Sequence, residues 1–150
     1  MKKLNRKGFT LVELLAVIII LAIVVGITIP AVLTTINNTR DNAFGTAVSS
    51  VADWIDREYA AYQIGNNTIQ QLDSTFESQC ITGKTPDANG KITCTVTASL
   101  LTAAGVKSSN FTTAGSTITI NTKTGRSCVT LKGSKTGDYQ VETSKTGGVC

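Results

Sequence analysis

The stretch that most constrains this chain is "RKGFTLVELLAVIIILAIVVGITIPAVL", from Arg6 to Leu33. Between Leu14 and Ile29 only Gly26 and Thr28 fall outside the strongly apolar residues and alanine. The run from Phe9 to Leu33, at about 1.5 Å of helical rise per residue, is long enough to cross a bilayer core of about 30 Å. A single charge interrupts it, Glu13. A carboxylate in lipid costs about 2.5–3.5 kcal/mol on insertion scales, so its presence asks for a role. Lys2, Lys3, Arg6 and Lys7 stand in front with no acid among them, which holds the N-terminus in the cytoplasm and sends the chain after Leu33 to the far side. A secretory signal peptide would have a shorter apolar core and an A-x-A-like site behind it, and no such site follows cleanly. A plain signal anchor accounts for the length of the run but not for Glu13.

The stretch "KGFTLVELL" (Lys7 to Leu15) resembles the processing site of type IV pilins and the related pseudopilins. In that family a short basic leader ends in glycine. A membrane-embedded aspartic protease cuts behind it, and the new N-terminal residue, often phenylalanine, is N-methylated. The resemblance implies cleavage between Gly8 and Phe9, with Phe9 as the methylated mature N-terminus. Glu13 then matches the family's glutamate at the fifth mature position, and Pro30 matches the proline that bends its long helix.

A physical account of Glu13 follows from that cut. Cleavage leaves a positive α-amine on Phe9, and methylation does not remove its capacity for charge. In an assembling polymer, the amine of an incoming subunit pairs with the Glu13 of its neighbour. Each charge is costly in lipid alone, and breaking such a buried pair costs about 3–5 kcal/mol, so Glu13 sets axial register. A pair with the subunit's own amine is the competing arrangement. Gly26 and Pro30 weaken the helix locally, because proline removes a backbone hydrogen bond and crowds the preceding turn. The resemblance implies that this region stretches or partly melts in a filament.

Polar residues enter after Leu33, but the helical pattern continues. Phe44, Val48, Val51, Ile55 and Tyr59 recur every three or four residues, flanked by Ala47, Trp54 and Tyr62. Arg40, Asp41, Asp53, Asp56 and Arg57 fall mostly elsewhere around the helix. That is an amphipathic helix with one core-facing stripe, and the aromatic residues at this spacing read as packing rather than as a ligand platform. "GNN" at Gly65–Asn67 is a stop signal.

Beyond Gly65 the alternating runs "KITCTV", "STITIN", "SCVTLK" and "DYQVET" appear. They are bounded by turn-forming pairs at Asn89-Gly90, Ala114-Gly115, Thr124-Gly125 and Thr136-Gly137. They predict three or four antiparallel strands over the amphipathic face. Ile118, Ile120, Val129, Leu131, Tyr139 and Val141 would be buried, with Thr119, Thr130 and Gln140 facing water. Ala98–Val106 predicts a short helix ended by Gly105. The fold class is therefore α+β: a long N-terminal helix packed on a small antiparallel head, which is also the family's arrangement. The expected divisions are a removed leader (1–8), a membrane and assembly helix (9–33), an amphipathic helix (34–64) and the head proper (65–150).

Composition narrows the function classes. The net charge is +4, but the 14 basic residues less the four in the leader leave 10, against 10 acidic residues. A neutral body disfavours a nucleic-acid partner, which needs concentrated positive charge. With no histidine in the chain, a Ser/His/Asp or Cys/His constellation cannot form. "GKT" at Gly83–Thr85 lacks the first glycine of a phosphate-binding loop, since Ser78 stands there. The lysine–serine pairs near Lys135 and Lys145 lie in polar, turn-rich sequence with nothing to desolvate a lysine. No enzyme activity, cofactor or metal is expected. The sequons at Asn37, Asn66 and Asn110 are matches that arise readily in a chain this rich in Thr and Asn.

Four cysteines in an exported module read as two disulfides, and three pairings are open. A four-cysteine zinc site is a competing reading, but no C-x2-C pair is present. The local pairing, Cys80–Cys94 and Cys128–Cys150, is favoured. The first closes a loop around "GKTPDANGK", and the second resembles the disulfide-bounded C-terminal loop of many pilins.

The resemblance thus implies a structural subunit of a type IV pilus, a surface fibre for adhesion, motility or aggregation. It is stored in the cytoplasmic membrane and then displayed outside the cell. Its implied partners are identical or related pilin subunits in a helical homopolymer, the prepilin peptidase, and the assembly platform with its ATPases. The alternatives are a pseudopilin of a type II secretion-like or DNA-uptake system, and a single-pass anchored exported domain that never polymerises. Only Asp138 and Glu142 are acidic after Gly125, too few for the calcium loop expected of the major secretion pseudopilins.

Overall fold

The computed structural model describes residues 9–65 and 72–150. The leader and the second sequon, Asn66–Thr68, lie outside the described residues. The chain divides into two compact units, Met1–Asn38 and Thr39–Cys150. One helix, α1 (Leu11–Ile64), contributes residues to both.

In the first unit the helix is apolar around its whole circumference, and every side chain from Phe9 to Leu33 is exposed. An 18-residue window reaches a mean hydropathy of 3.0 with none of it buried. Such a helix cannot settle one face onto a core, because it has no polar face to leave outside. The helix runs on through Gly26 and Pro30. Nearby hydroxyls turn inward onto the backbone: Thr28 donates to the Val24 carbonyl at 3.0 Å and Thr34 to the Pro30 carbonyl at 3.1 Å.

The second unit is the head. Here α1 buries one stripe, Phe44, Ala47, Val48, Val51, Ala52, Ile55, Glu58 and Tyr59, which contains the predicted apolar set. Trp54 is half-buried and meets Phe76 edge-on at 5.9 Å, whereas Tyr62 is exposed. The helix ends at Ile64, followed by Gly65 at φ 87°, a left-handed conformation that stops a helix and that glycine adopts without a Cβ penalty.

A short helix, α2 (Ser74–Phe76), runs into a wider π-helical turn, Glu77–Ile81, that carries Cys80. The sequence reading had no element here. Asp73 caps α2, its carboxylate accepting from Thr75 and Phe76 N–H at 2.8 and 3.1 Å. Asp73 N–H in turn donates to the buried Glu58 carboxylate at 2.9 Å, so α1 fixes where α2 starts. Helix α3 (Ala98–Ala103) is capped by the Thr97 hydroxyl, and Val106 N–H returns to the Leu101 carbonyl at 3.1 Å across Gly105.

Four strands form one antiparallel meander in chain order: β1 (Lys91–Cys94), β2 (Phe111–Asn121), β3 (Arg126–Gly133) and β4 (Ser144–Gly148). Ile118 pairs with Cys94 on one side and Val129 on the other, and Ile118, Ile120, Val129 and Leu131 are buried as expected. Two expectations need correction. Ala114-Gly115 is not a strand boundary, because β2 starts at Phe111 and absorbs the pair in an irregularity between Thr112 and Thr117. The run "DYQVET" is not a strand. Gln140 sits at φ 52°, which breaks an extended ladder, although Tyr139 and Val141 still pack half-buried on the core. The fourth strand is the next segment, "SKTGG".

That strand was illegible by apolar alternation because it has none. It can lie there because a Cβ on Gly147 would come to 3.0 Å from the backbone of Ser49 on α1. The strand therefore approaches the helix closely, a packing that glycine suits because a Cβ would crowd the helix backbone. At the start of β3, the Asp56 carboxylate of α1 accepts from Ser127 N–H at 2.6 Å and pairs with Arg126 at 3.2 Å. The Ser127 hydroxyl donates to the Ala52 carbonyl at 3.1 Å. The sheet is thus pinned to the amphipathic stretch of α1 by polar contacts at the rim of an apolar core.

Candidate processing and assembly site

The residues singled out at the N-terminus divide in the structure. Gly8 lies outside the described residues, and Phe9 is exposed just before α1. Glu13 occupies the first turn of α1 and engages Thr10. Thr10 N–H donates to Glu13 Oε2 at 2.8 Å, and the Thr10 hydroxyl donates to the same oxygen at 2.8 Å. In return Glu13 N–H donates to the Thr10 hydroxyl oxygen at 3.3 Å. This is a reciprocal capping box, in which residues three apart satisfy each other's free N–H groups.

The pattern Thr-x-x-Glu before an apolar run in "FTLVELL" is the sequence signal for this box. The box gives Glu13 a first, local duty. It satisfies donors at a helix start that has no water to turn to if it lies in lipid. A carboxylate there also opposes the positive end of the helix dipole. Both contacts fall on Oε2, so the box itself makes no demand on Oε1.

Gly26 and Pro30 are four residues apart, which makes Gly26 the residue whose carbonyl loses its donor and faces the proline ring. Beyond the helix's own neighbouring backbone, nothing among the described residues lies within 4 Å of where a Gly26 side chain would begin. Packing within this chain does not require a glycine there.

The family comparison addresses this same segment. The model of the prokaryotic N-terminal methylation motif matches residues 3–29. The chain carries the class III signal peptide of type IV pilins and pseudopilins. The match contains Gly8, Phe9, Glu13 and Gly26 and stops just short of Pro30. This signal and the apolar helix behind it fit a membrane-anchored precursor of pilin-like or pseudopilin kind. No curated protein and no solved structure matches the chain.

Both expected disulfides are present in that head. Cys80–Cys94 ties the π-helical turn to β1, and Cys128–Cys150 ties the segment after β4 to β3. Among the sequons, Asn37 is exposed on α1, while Asn110 is only 4% exposed and its side-chain oxygen accepts from Asp138 N–H at 2.8 Å. The folded head thus withholds Asn110 from any modifying enzyme.

Proposed function

We propose that this precursor is the structural subunit of a type IV pilus. It is cut between Gly8 and Phe9, N-methylated at Phe9, and polymerised through Phe9–Leu33 into a surface fibre that serves adhesion, motility or aggregation. The observation that carries the reading is the conjunction of the methylation motif with a helix half that is apolar on every side and exposed among the described residues. Such a surface is stable in lipid, and it is equally stable against copies of itself.

Assembly then exchanges one set of contacts for another. In the membrane, Thr10 satisfies Glu13. In the fibre, the methylated amine of a neighbouring Phe9 approaches the carboxylate and two costly charges cancel. The pairing works at one stagger, so it selects register. Gly26 and Pro30 serve the packed state, where the helix yields and neighbours re-satisfy the freed carbonyl. The prepilin peptidase, the assembly platform and its ATPases act on the segment that the motif covers. The head makes the outer surface.

The second reading is a pseudopilin of a secretion or DNA-uptake system, because the motif is shared by both classes. Mass spectrometry of the native protein tests the processing step, with a mature N-terminus at methylated Phe9 expected. An intact leader would mean an anchored domain. Imaging of sheared surface fibres, with sequencing of their main component, separates pilus from pseudopilus.

A further inference from the structure

The two disulfides of the head differ in access. Cys80 and Cys94 are 0% and 4% exposed, whereas Cys128 is half-buried and Cys150 is exposed. They also differ in what they hold. Cys80–Cys94 lies within the apolar core. Cys128–Cys150 closes the end of β4, bonding the residue that pairs with Gly148 to Cys150, two residues beyond it.

Strand β4 has little else to keep it in place. Its residues, Ser144 to Gly148, bring no large apolar side chain to the core, and only Gly147 is buried. Apart from the ladder to β3 and the close approach of Gly147 to the α1 backbone at Ser49, its contacts are polar. Thr146 meets Thr130 at 3.0 Å, Lys145 pairs with Asp41 at 2.6 Å, and Val149 N–H reaches the Ser127 carbonyl at 2.8 Å. Ordering a five-residue strand costs conformational entropy that apolar burial usually offsets, and here that burial is missing.

We propose that Cys128–Cys150 is a redox-operated latch on β4. An external dithiol gives up two electrons and two protons: the Cys128–Cys150 bond breaks, two thiols form, and the reductant leaves as its own disulfide. Ser144–Cys150 then detaches and uncovers the edge of β3 from Cys128 to Lys132. Helix α1, strands β1–β3 and the buried Cys80–Cys94 bond stay folded. The reverse step needs a disulfide donor on the far side of the membrane, so an exported head is complete but open until that exchange occurs. This inference concerns the head alone and does not depend on whether the chain builds a pilus.

The test uses the full chain in detergent micelles with graded dithiothreitol, alkylation and peptide mapping, alongside hydrogen exchange. Cys128 and Cys150 should label at reductant concentrations that leave Cys80 and Cys94 unlabelled. Amides of residues 144–149 should then exchange on the order of 100-fold to 1,000-fold faster, the advantage expected from a cross-link closing a loop of this size. Those of β1–β3 should keep their protection. A C128S/C150S variant should show the same exchange pattern without reductant. Labelling of all four cysteines together, unchanged protection of 144–149 in the reduced protein, or loss of protection throughout the head would each overturn the latch.

Discussion

Helix α1 places two solvents' worth of chemistry on one continuous backbone. Its residues up to Leu33 are, Glu13 and Thr28 aside, apolar all round and exposed throughout, while those from Phe44 on bury a single stripe beneath a sheet. The back half resolves its hydrophobic surface within its own chain, and the front half does not. Sequence period carries that lesson directly. A 3.6-residue stripe calls for one partner surface, and an unbroken apolar cylinder calls for surroundings on every side. The same physics thus assigns folding to one half and, in our proposal, assembly to the other.

The largest expected break in this comparison comes at Glu13. Glu13→Ala should leave membrane insertion and removal of the leader intact while filament assembly falls on the order of 100-fold or more, as for loss of a buried pair of about 3–5 kcal/mol. Yield of sheared fibres, set against processed subunit in the membrane, gives the measurement. Unchanged fibres would remove the charge-pairing account and leave only the capping role.

The two halves should also answer differently to the loss of apolar side chains. Phe44 is fully buried and packs on Phe111 at 5.5 Å and Tyr139 at 5.9 Å. Phe44→Ala should destabilise the head by about 3–5 kcal/mol. Ile23→Ala, in the exposed front half, should leave head unfolding unchanged. Denaturant titration followed by Trp54 fluorescence reads both. Equal sensitivity at the two positions would mean that the front half contributes to the head after all.

How much of this was legible follows from which signals sequence carries. The stripe from Phe44 to Tyr59, the strands around Ile118 and Val129, and the helix ended by Gly105 all write their burial into side-chain period. Four cysteines left three pairings open, and the favoured local one is the pairing present. Strand β4 wrote nothing of the kind, because it holds its place by backbone pairing and by Gly147 lying against Ser49. The run before it alternates well, but Tyr139 and Val141 reach the core from a loop. Glu58 is another blind spot. A carboxylate in the buried stripe looks like an error until Asp73 N–H is seen to meet it. At the N-terminus the sequence singles out Gly8, Phe9, Glu13, Gly26 and Pro30, and Gly8 lies outside the described residues. The hydrogen bonding there was not legible, since charge and capping compete for the same glutamate.

A subtler contrast concerns that competition. Thr10→Val keeps the size of the side chain and removes the hydroxyl that both donates to and accepts from Glu13. The start of α1 should lose about 1 kcal/mol, typical for a helix cap. That would speed exchange of the first-turn amides about 5-fold in micelles, with no effect on the head. If fibre yield also drops, orientation of Glu13 by Thr10 contributes to assembly. If exchange does not change, the capping box has no energetic weight.

The smallest effect belongs to the head's surface. Asp138 sits at the loop before β4 and receives Lys107 Nζ at 3.0 and 3.1 Å. That hydrogen bond from Lys107 is the main reason its carboxyl titrates below the ordinary value. A carboxylate depressed in the folded state stabilises the fold at any pH above its unfolded value, about 3.9. It loses that contribution as the pH falls through the depressed folded value. Between pH 5 and 8 the pair should therefore leave stability flat, and its part should vanish only in stronger acid. Both side chains are well exposed, at 63% and 60%, so screening keeps the effect small. Titrating the Asp138 side-chain carbon by NMR in the wild-type head and in Lys107→Ala gives the check. The midpoint should rise toward the ordinary value in the variant, while the carboxylates away from this pair titrate as before. A midpoint that does not move would assign the depression to the Asn110 side chain, the other neighbour that lowers it.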